Sequence, residues 1–221
     1  MKILIFGATG MVGGGVLREC LLDPGVEQVT TIGRHPTRQQ HPKLREIVQR
    51  NLLDLSGIES ELVGFDACFF CLGVTSLGMS ESEYRKVTYG ITMAAAEPLS
   101  RLNPAMTFVY VTGAGTDSTE RGRVMWARVK GATENALLRL PFKAAYMFRP
   151  AAIQPLHGIQ SRTRLYQVFY VVLSPLLSLG VRYLPQYVTT TEAVGRAMLK
   201  VAREGAPTRI LENKDINALQ S

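Results

Sequence analysis

The chain has 221 residues, which is enough for one α/β domain with a full core and too few for two sizeable ones. Its composition, 46% hydrophobic and 19% charged, is that of a globular protein and excludes a disordered chain. The formal net charge of +7 admits a dinucleotide, nucleic acid or a membrane surface as partner, but the basic residues are scattered and form no single block.

Strand-like and helix-like patterns alternate along the chain. The predicted strands are 2–6, 28–32, 45–50, 67–72, 107–112 and 144–148, and the predicted helices between them are 11–22, 56–63, 81–102 and 124–139. Beyond residue 150, 189–203 is predicted to be a helix, 209–212 a last strand and 214–219 a last helical turn. This alternation predicts an α/β fold in which helices cover both faces of a doubly wound parallel sheet. We expect a single domain over 1–221, with a small substrate-side segment at about 151–190.

Two segments bear on where the protein resides. The first strand begins directly after Met1, with no secretory signal before it, so the sequence predicts a cytoplasmic location. The stretch 165–184 is mostly apolar, but Pro175, Gly180 and Arg182 interrupt it. We expect this stretch to pack on the sheet and line a substrate site, which would make the substrate apolar. Peripheral association with a membrane surface is the alternative, and a spanning helix is the least favoured interpretation.

Three glycines follow the first predicted strand and open the first predicted helix. Gly7 permits a tight turn, Gly10 lets the backbone approach a pyrophosphate, and Gly13 lets the helix pack close to the sheet. The free N–H groups and the dipole at the helix start favour phosphate binding there. In this strand–turn–helix context the spacing predicts dinucleotide binding, and a purely structural turn is the alternative. The residues expected at the phosphates are Gly7, Thr9, Gly10, Met11, Val12 and Gly13.

The end of the second strand favours NADP(H) over NAD(H). An acidic residue there would bind the ribose 2′-hydroxyl, and the segment 30–34 contains none. Arg34 can clamp a 2′-phosphate, with help from His35 or Arg38, although an exposed loop arginine is the alternative. Further residues are expected along the same edge of the sheet, where ligands bind. They are Asp54 and Leu55 beside the adenine, and Leu72, Gly73, Val74, Thr112, Lys130, Arg149 and Pro150 along the rest of the cofactor.

Four segments carry a resemblance to a known family. They are CFFCLGVT at 68–75, WARVKGATE at 126–134, FRP at 148–150 and LENK at 211–214. Together with the glycine turn they resemble the short-chain dehydrogenase/reductase superfamily in its atypical or extended branch, and within it the oxidoreductase HTATIP2 group, also called TIP30 or CC3. The match runs in order over nearly the whole chain. It implies a seven-stranded Rossmann-like domain that binds NADPH.

The same resemblance implies a catalytic tyrosine, a lysine four residues later, and a hydroxyl residue after the fifth strand. Thr112 stands at the hydroxyl position and Lys130 at the lysine position, but the tyrosine position is Trp126. An indole N–H only donates and does not titrate near neutral pH, so Trp126 cannot act as a general acid or base. Tyr84, near the start of the long helix, is the alternative proton donor, and Tyr110 is expected in the core.

These observations support three functional hypotheses. The first is an NADP(H)-dependent oxidoreductase that acts on a small, apolar carbonyl or alcohol. The second is a non-catalytic NADP(H)-binding sensor or regulator that binds a partner, and Trp126 favours it. The third, a nucleic-acid binder that exploits the net charge, ranks last because the sequence contains no recognised DNA- or RNA-binding motif.

Overall fold

A seven-stranded parallel sheet forms the centre of the fold in the computed structural model, which describes residues 1–159, 184 and 186–219. The strand order is β3-β2-β1-β4-β5-β6-β9, and β7 pairs with β8 in a separate parallel ribbon. The predicted doubly wound sheet is therefore confirmed. The strands are β1 Lys2–Phe6, β2 Gln28–Gly33, β3 Leu44–Val48, β4 Ala67–Phe70, β5 Thr107–Val111, β6 Ala144–Arg149, β7 Ala152–Gln154, β8 Val188–Thr190 and β9 Ile210–Glu212.

Helices cover both faces of this sheet. Helices α1 and α5 pack on one face, and α3 and α4 pack on the other. The helical segments are α1 Met11–Leu22, a 3-10 helix Ser56–Glu61, α2 Glu81–Arg85, a π-helical turn Lys86–Gly90, α3 Ile91–Leu102, α4 Met125–Leu137, α5 Thr191–Glu204 and α6 Asn213–Ala218. Within the described residues, no helix combines the length and the apolar character needed to span a membrane.

The central strands are buried on both faces, as their continuous apolar sequences predict. In β1, Ile3 and Ile5 face α1 and α5, whereas Leu4 and Phe6 face the opposite core. On that second face the Phe6 ring stacks on Phe70 of β4, with the ring centroids 5.1 Å apart. Aromatic pairs in such stacked arrangements add to the free energy gained by burying apolar area. The two cores hold the carboxyl ends of the central strands in register.

The structure differs from the predicted elements mainly in the C-terminal third. The ribbon of β7 and β8 was not predicted, because three-residue strands are too short to show an alternating pattern. The predicted helix at 189–203 begins only at Thr191, because the Thr190 hydroxyl accepts the Ala193 N–H at 3.0 Å and caps the helix. Most of the apolar stretch 165–184 lies outside the described residues.

A buried ion pair ties β6 to α4. The Arg149 guanidinium donates to both carboxylate oxygens of Glu134, from Nε at 3.1 Å and from Nη2 at 2.5 Å. The Glu134 side chain is fully buried and that of Arg149 is 10% exposed. Two further partners, Ser118 and Glu212, accept hydrogen bonds from the same guanidinium. Because each charge depends on the other in this buried setting, removing one partner is costly.

We therefore expect Arg149→Met to lower the free energy of unfolding by about 3–5 kcal/mol, because it leaves the Glu134 carboxylate buried without a partner. Urea unfolding followed by circular dichroism measures this loss. The matched control is the double variant Arg149→Met/Glu134→Met, which removes both charges and should recover most of the loss. A single variant within about 1 kcal/mol of the wild type would contradict the structural role.

Candidate functional site

Two adjoining cavities open at the carboxyl ends of the parallel strands. The first cavity, about 160 Å³, lies beyond β1 and β2 and is lined by the glycine turn and the loop after β2. The second cavity, about 590 Å³, lies beyond β4, β5 and β6. Gly10 and residues 71–74 line both cavities, so the two form one trough across the point where the strand order reverses between β1 and β4. Ligands of open α/β sheets bind at such a switch point.

The glycine turn brings the start of α1 very close to the end of β1. Gly7 has a φ of +82°, and a Cβ added there would lie 2.6 Å from the Leu72 nitrogen. A Cβ added at Gly13 would lie 2.2 Å from the Gly7 carbonyl oxygen. The Gly10 N–H donates to that same oxygen at 2.9 Å. The tight turn predicted at Gly7 and the close packing predicted at Gly13 are both present.

The N-terminus of α1 is equipped to hold an anion. Its first turn contains no acidic residue, and its N-cap, Gly10, supplies no side chain to occupy the free N–H groups. The positive end of the helix dipole is therefore neither neutralised nor capped. Met11 and Val12 line the second cavity, and Thr9 lines the first. This arrangement fits linked phosphate groups at the floor of the trough.

The first cavity has a basic rim and no acidic lining residue among those described. Arg34, which is exposed, and His35 both line it, whereas Arg38 does not. The acid closest in register to the end of β2 is Glu46, which pairs with Thr31 across β2 and β3. Its carboxylate accepts the backbone N–H of Thr37 at 3.0 Å and also the Thr37 hydroxyl. These hydrogen bonds hold the Glu46 carboxylate against the loop, and Glu46 does not line the cavity.

The two residues predicted to flank an adenine do not line the first cavity. The Asp54 carboxylate accepts the Ser56 N–H at 3.0 Å and the Ser56 hydroxyl at 2.7 Å, and these bonds lower the pKa of Asp54. Leu55 is 3% exposed and packs in the core. The cavity wall is supplied instead by Leu52, three residues earlier, whose position no sequence pattern indicated. The turn that leads into the 3-10 helix directs Asp54 and Leu55 to these structural roles.

Lys130 and Trp126 of α4 line the second cavity together. The Lys130 ammonium donates to the Thr112 carbonyl oxygen at 2.5 Å, and its Nζ lies 6.0 Å from the centre of the Trp126 ring. Burial lowers the pKa of Lys130 to about 8, and the charge of Glu134 opposes this shift only in part. The lysine can therefore change its protonation state close to neutral pH.

The Thr112 hydroxyl is engaged inside the protein. It donates to Glu134 Oε1 at 2.7 Å and lies 3.1 Å from the Phe148 carbonyl oxygen, both in buried positions. The hydroxyl expected to orient a substrate is thus bonded to the same carboxylate that Arg149 binds. Arg149 itself, expected at the cofactor, is absent from the lining of both cavities because its guanidinium pairs with Glu134. Pro150, also expected at the cofactor, lines the second cavity.

The structure does not bring Tyr84 to the trough. Tyr84 is 2% exposed, hydrogen bonds with Thr88 and is absent from the lining of both cavities. Burial raises its pKa, so it retains its proton in the core. Tyr110 lies in the core as expected, and burial raises its pKa as well. No tyrosine lines either cavity within the described part of the chain.

Some lining residues were not predicted from the sequence. Ala151 and Ile153 form part of the second cavity, where the chain leaves β6 and enters β7. The buried side chain of Asn213 accepts the Ala151 N–H at 2.9 Å and holds this wall. Asn213 belongs to the segment 211–214 that carries the family resemblance, but only the structure reveals what it does. The described residues contain no group of three histidine, cysteine or acidic side chains that could hold a metal ion.

Solved structures share this fold over almost the whole chain. A dTDP-glucose 4,6-dehydratase from Streptomyces venezuelae, DesIV, with NAD and TYD bound, matches with a TM-score of 0.72 at 17% identity, over 96% of this chain and 75% of that one. WbmF from Bordetella bronchiseptica, in complex with NAD+, gives 0.68 at 13% identity, over 98% and 76%. A short chain dehydrogenase family protein from Francisella tularensis gives 0.64 at 13%, over 96% and 95%. The chain therefore has the Rossmann-like fold of the short-chain dehydrogenases and related NAD-binding enzymes.

The chain also has relatives in sequence, and their similarity to it is low. Protein fmp52-2 of Aspergillus oryzae is 25% identical over 221 aligned residues, covering 96% of this chain and 93% of the relative. Protein FMP52 of Candida albicans is 25% identical over 157, covering 69% and 67%. No protein-family model matches the chain. Both relatives are named as mitochondrial proteins, which contradicts the cytoplasmic location expected from the sequence.

The close approach at the glycine turn can be tested with a matched pair of substitutions in α1. Gly13→Ala places a methyl group against the Gly7 carbonyl and should destabilise the fold by about 1–3 kcal/mol, because α1 must move away from β1. Gly14→Ala meets nothing closer than 3.6 Å and should be neutral or stabilising by up to about 1 kcal/mol. Urea unfolding measures both. Equal effects of the two substitutions would show that the close approach at Gly13 is not a constraint.

Proposed function

We propose that this protein binds NADP(H) in the trough and is an atypical member of the short-chain dehydrogenase/reductase superfamily, related to the oxidoreductase HTATIP2 group. The observation that carries the proposal is the uncapped, acid-free N-terminus of α1, which opens between a basic-rimmed cavity and a cavity that contains Lys130. The second cavity, about 590 Å³, is in the range of ligand sites, and the adjoining first cavity adds about 160 Å³ to it. An elongated trough with an anion-binding region fits a dinucleotide.

Each part of the trough suits one part of the cofactor. The free N–H groups at the start of α1 would hold the diphosphate, and Arg34 with His35 would hold the 2′-phosphate. Lys130 would hold the ribose next to the nicotinamide, and Trp126 would form a wall beside it. When bound, the cofactor supplies hydride-transfer chemistry. The protein contributes binding, orientation and exclusion of water.

The first candidate activity is reduction or oxidation of a small apolar carbonyl or alcohol. The described lining of the second cavity is largely apolar, with Val74, Val111, Ala114 and Ile153 among its residues, which favours an apolar substrate. The second candidate is an NADP(H)-binding sensor or regulator without turnover. Trp126 at the tyrosine position and the engagement of the Thr112 hydroxyl with Glu134 favour it. Consumption of NADPH in the presence of a carbonyl compound separates the two.

Cofactor choice is tested at the first cavity. Arg34→Ala should raise the Kd for NADPH by about 10- to 100-fold, the effect expected for one lost charge-assisted contact to phosphate, and leave the Kd for NADH within about threefold. Quenching of Trp126, the single tryptophan of the chain, measures both affinities. The matched control is Arg38→Ala, which removes a nearby charge that does not line the cavity and should change neither value. An equal loss for NADPH and NADH in Arg34→Ala would contradict the 2′-phosphate role.

Cofactor affinity should also depend on pH through Lys130. The pKa of this lysine in the protein without cofactor is about 8, so it is charged below pH 8 and neutral above it. Because only the charged form attracts the phosphates and ribose oxygens strongly, the Kd for NADPH should rise about fivefold between pH 8 and 9. Lys130→Met should bind more weakly at pH 7 and lose this pH step. The exposed Lys86→Met is the control and should retain it. A wild-type affinity that stays constant across this range would refute the assignment.

A further inference from the structure

One side chain stands out among those that line the second cavity. Of the described lining residues, only Cys71 and Lys130 titrate at all. Burial raises the pKa of the Cys71 thiol to about 12, so it keeps its proton. Within 1–159, 184 and 186–219, the other candidates for proton transfer are engaged elsewhere, because Tyr84 and Tyr110 lie in the core and the Thr112 hydroxyl donates to Glu134.

We propose that the Lys130 ammonium itself donates the proton to the substrate oxygen when a carbonyl compound is reduced at this site. The role deepens the proposed function and rests on it, because the reduced cofactor must supply the hydride. Lys130 would then be a catalytic residue in its own right, in addition to holding the ribose.

The position of Lys130 suits direct donation. Its Nζ uses one of its three N–H groups on the Thr112 carbonyl oxygen, at 2.5 Å, and this bond fixes the ammonium at the cavity wall. The adjoining wall is Gly113, where an added Cβ would lie 3.9 Å from Nζ. The absence of a side chain at Gly113 leaves the approach to Nζ open for a substrate oxygen. The next residue, Ala114, also lines the cavity and carries no group that could donate in place of the lysine.

Burial, which nearby charge offsets only in part, explains why Lys130 can release a proton. On its own helix, Glu134 favours the ammonium form, but that carboxylate is paired with Arg149 of β6 and also accepts from Thr112, which directly follows β5. From the end of β4, Cys71 faces the same cavity in its neutral form. Desolvation is therefore the larger influence, and the pKa of Lys130 falls to about 8. A general acid is most effective when its pKa lies near the working pH.

The carbonyl carbon would gain a new C–H bond, with both electrons, from the hydride that the reduced cofactor would supply as one of its own C–H bonds breaks, and the π electrons of the C=O bond would move to the oxygen. The oxygen takes a proton from the Lys130 ammonium, so an N–H bond breaks and an O–H bond forms. The products are an alcohol, the oxidised cofactor and a neutral Lys130 amine, which regains a proton from water.

The test uses the full chain with NADPH and two apolar aldehydes, octanal and 4-nitrobenzaldehyde, in single-turnover experiments. Lys130→Arg keeps a positive charge and hydrogen-bond donors, but a guanidinium does not release its proton near neutral pH. We expect Lys130→Arg to bind NADPH within about threefold of the wild type and to reduce the aldehydes about 100-fold or more slowly. Lys130→Met should lose both binding and rate. Circular dichroism checks that each variant is folded.

A second readout does not depend on activity. Reductive methylation with 13C-formaldehyde labels the lysines, and the Lys130 signal is identified by its loss in Lys130→Arg. Its titration midpoint in the protein without cofactor should lie near 8 rather than near the usual value of 10.5. A Lys130 midpoint near 10.5 would overturn the proposal, because the ammonium would then hold its proton too tightly.

The remaining outcomes of these experiments also support or contradict the role of Lys130 as proton donor. Rapid aldehyde reduction by Lys130→Arg would show that another group supplies the proton and would leave the proposed cofactor binding intact. Wild-type protein that binds NADPH but reduces neither aldehyde would overturn the proposal and favour the sensor function. Wild-type protein that does not bind NADPH at all would overturn the proposed function and this inference together.

Discussion

The close approach of α1 to the end of β1 is the constraint on which the rest of the site depends. The Gly7 carbonyl oxygen accepts the Gly10 N–H and lies directly against Gly13, so turn and helix are fixed to each other over a few ångströms. This contact aims the first turn of α1 at the gap where the strand order reverses. The loop after β4 closes against the same turn, because Leu72 lies where a Gly7 side chain would be. The proposed phosphate site is therefore built from backbone geometry.

The second half of the trough depends on a charge balance within the protein. Arg149 and Glu134 neutralise each other beneath the cavity, and Thr112 is bonded into the same pair. As a result Lys130, one helical turn before Glu134, is left with little countercharge and is partly buried. A glutamate that does not line the trough thus affects the protonation of the lysine that does. Arg149 is connected to the site only as the partner of that glutamate.

Most of the fold could be predicted from the sequence because its signals are local. Continuous apolar strands, glycines at a strand end and helical patterns of ordinary length located the sheet and α1 within one or two residues. The elements that were missed, β7 and β8, form through pairing between distant segments and are only three residues long. The same distinction holds in the site. Gly7 and Gly13 are recognisable by their residue type, whereas the direction of a side chain such as Thr112, Asp54 or Arg149 depends on tertiary partners that no local pattern reveals.

The pairing of Glu46 with Thr37 has a consequence for how the proposed nucleotide preference can change in evolution. The carboxylate sits beside the end of β2, yet the loop occupies it through the backbone and hydroxyl of Thr37. Loss of the Thr37 hydroxyl, or a shorter loop, would release the Glu46 carboxylate next to the first cavity while Arg34 stayed in place. At the proposed dinucleotide site, selection between phosphorylated and unphosphorylated dinucleotides would therefore depend on the conformation of an exposed loop. A substitution at Thr37, which itself lines the first cavity, would reset this preference with no change at Arg34.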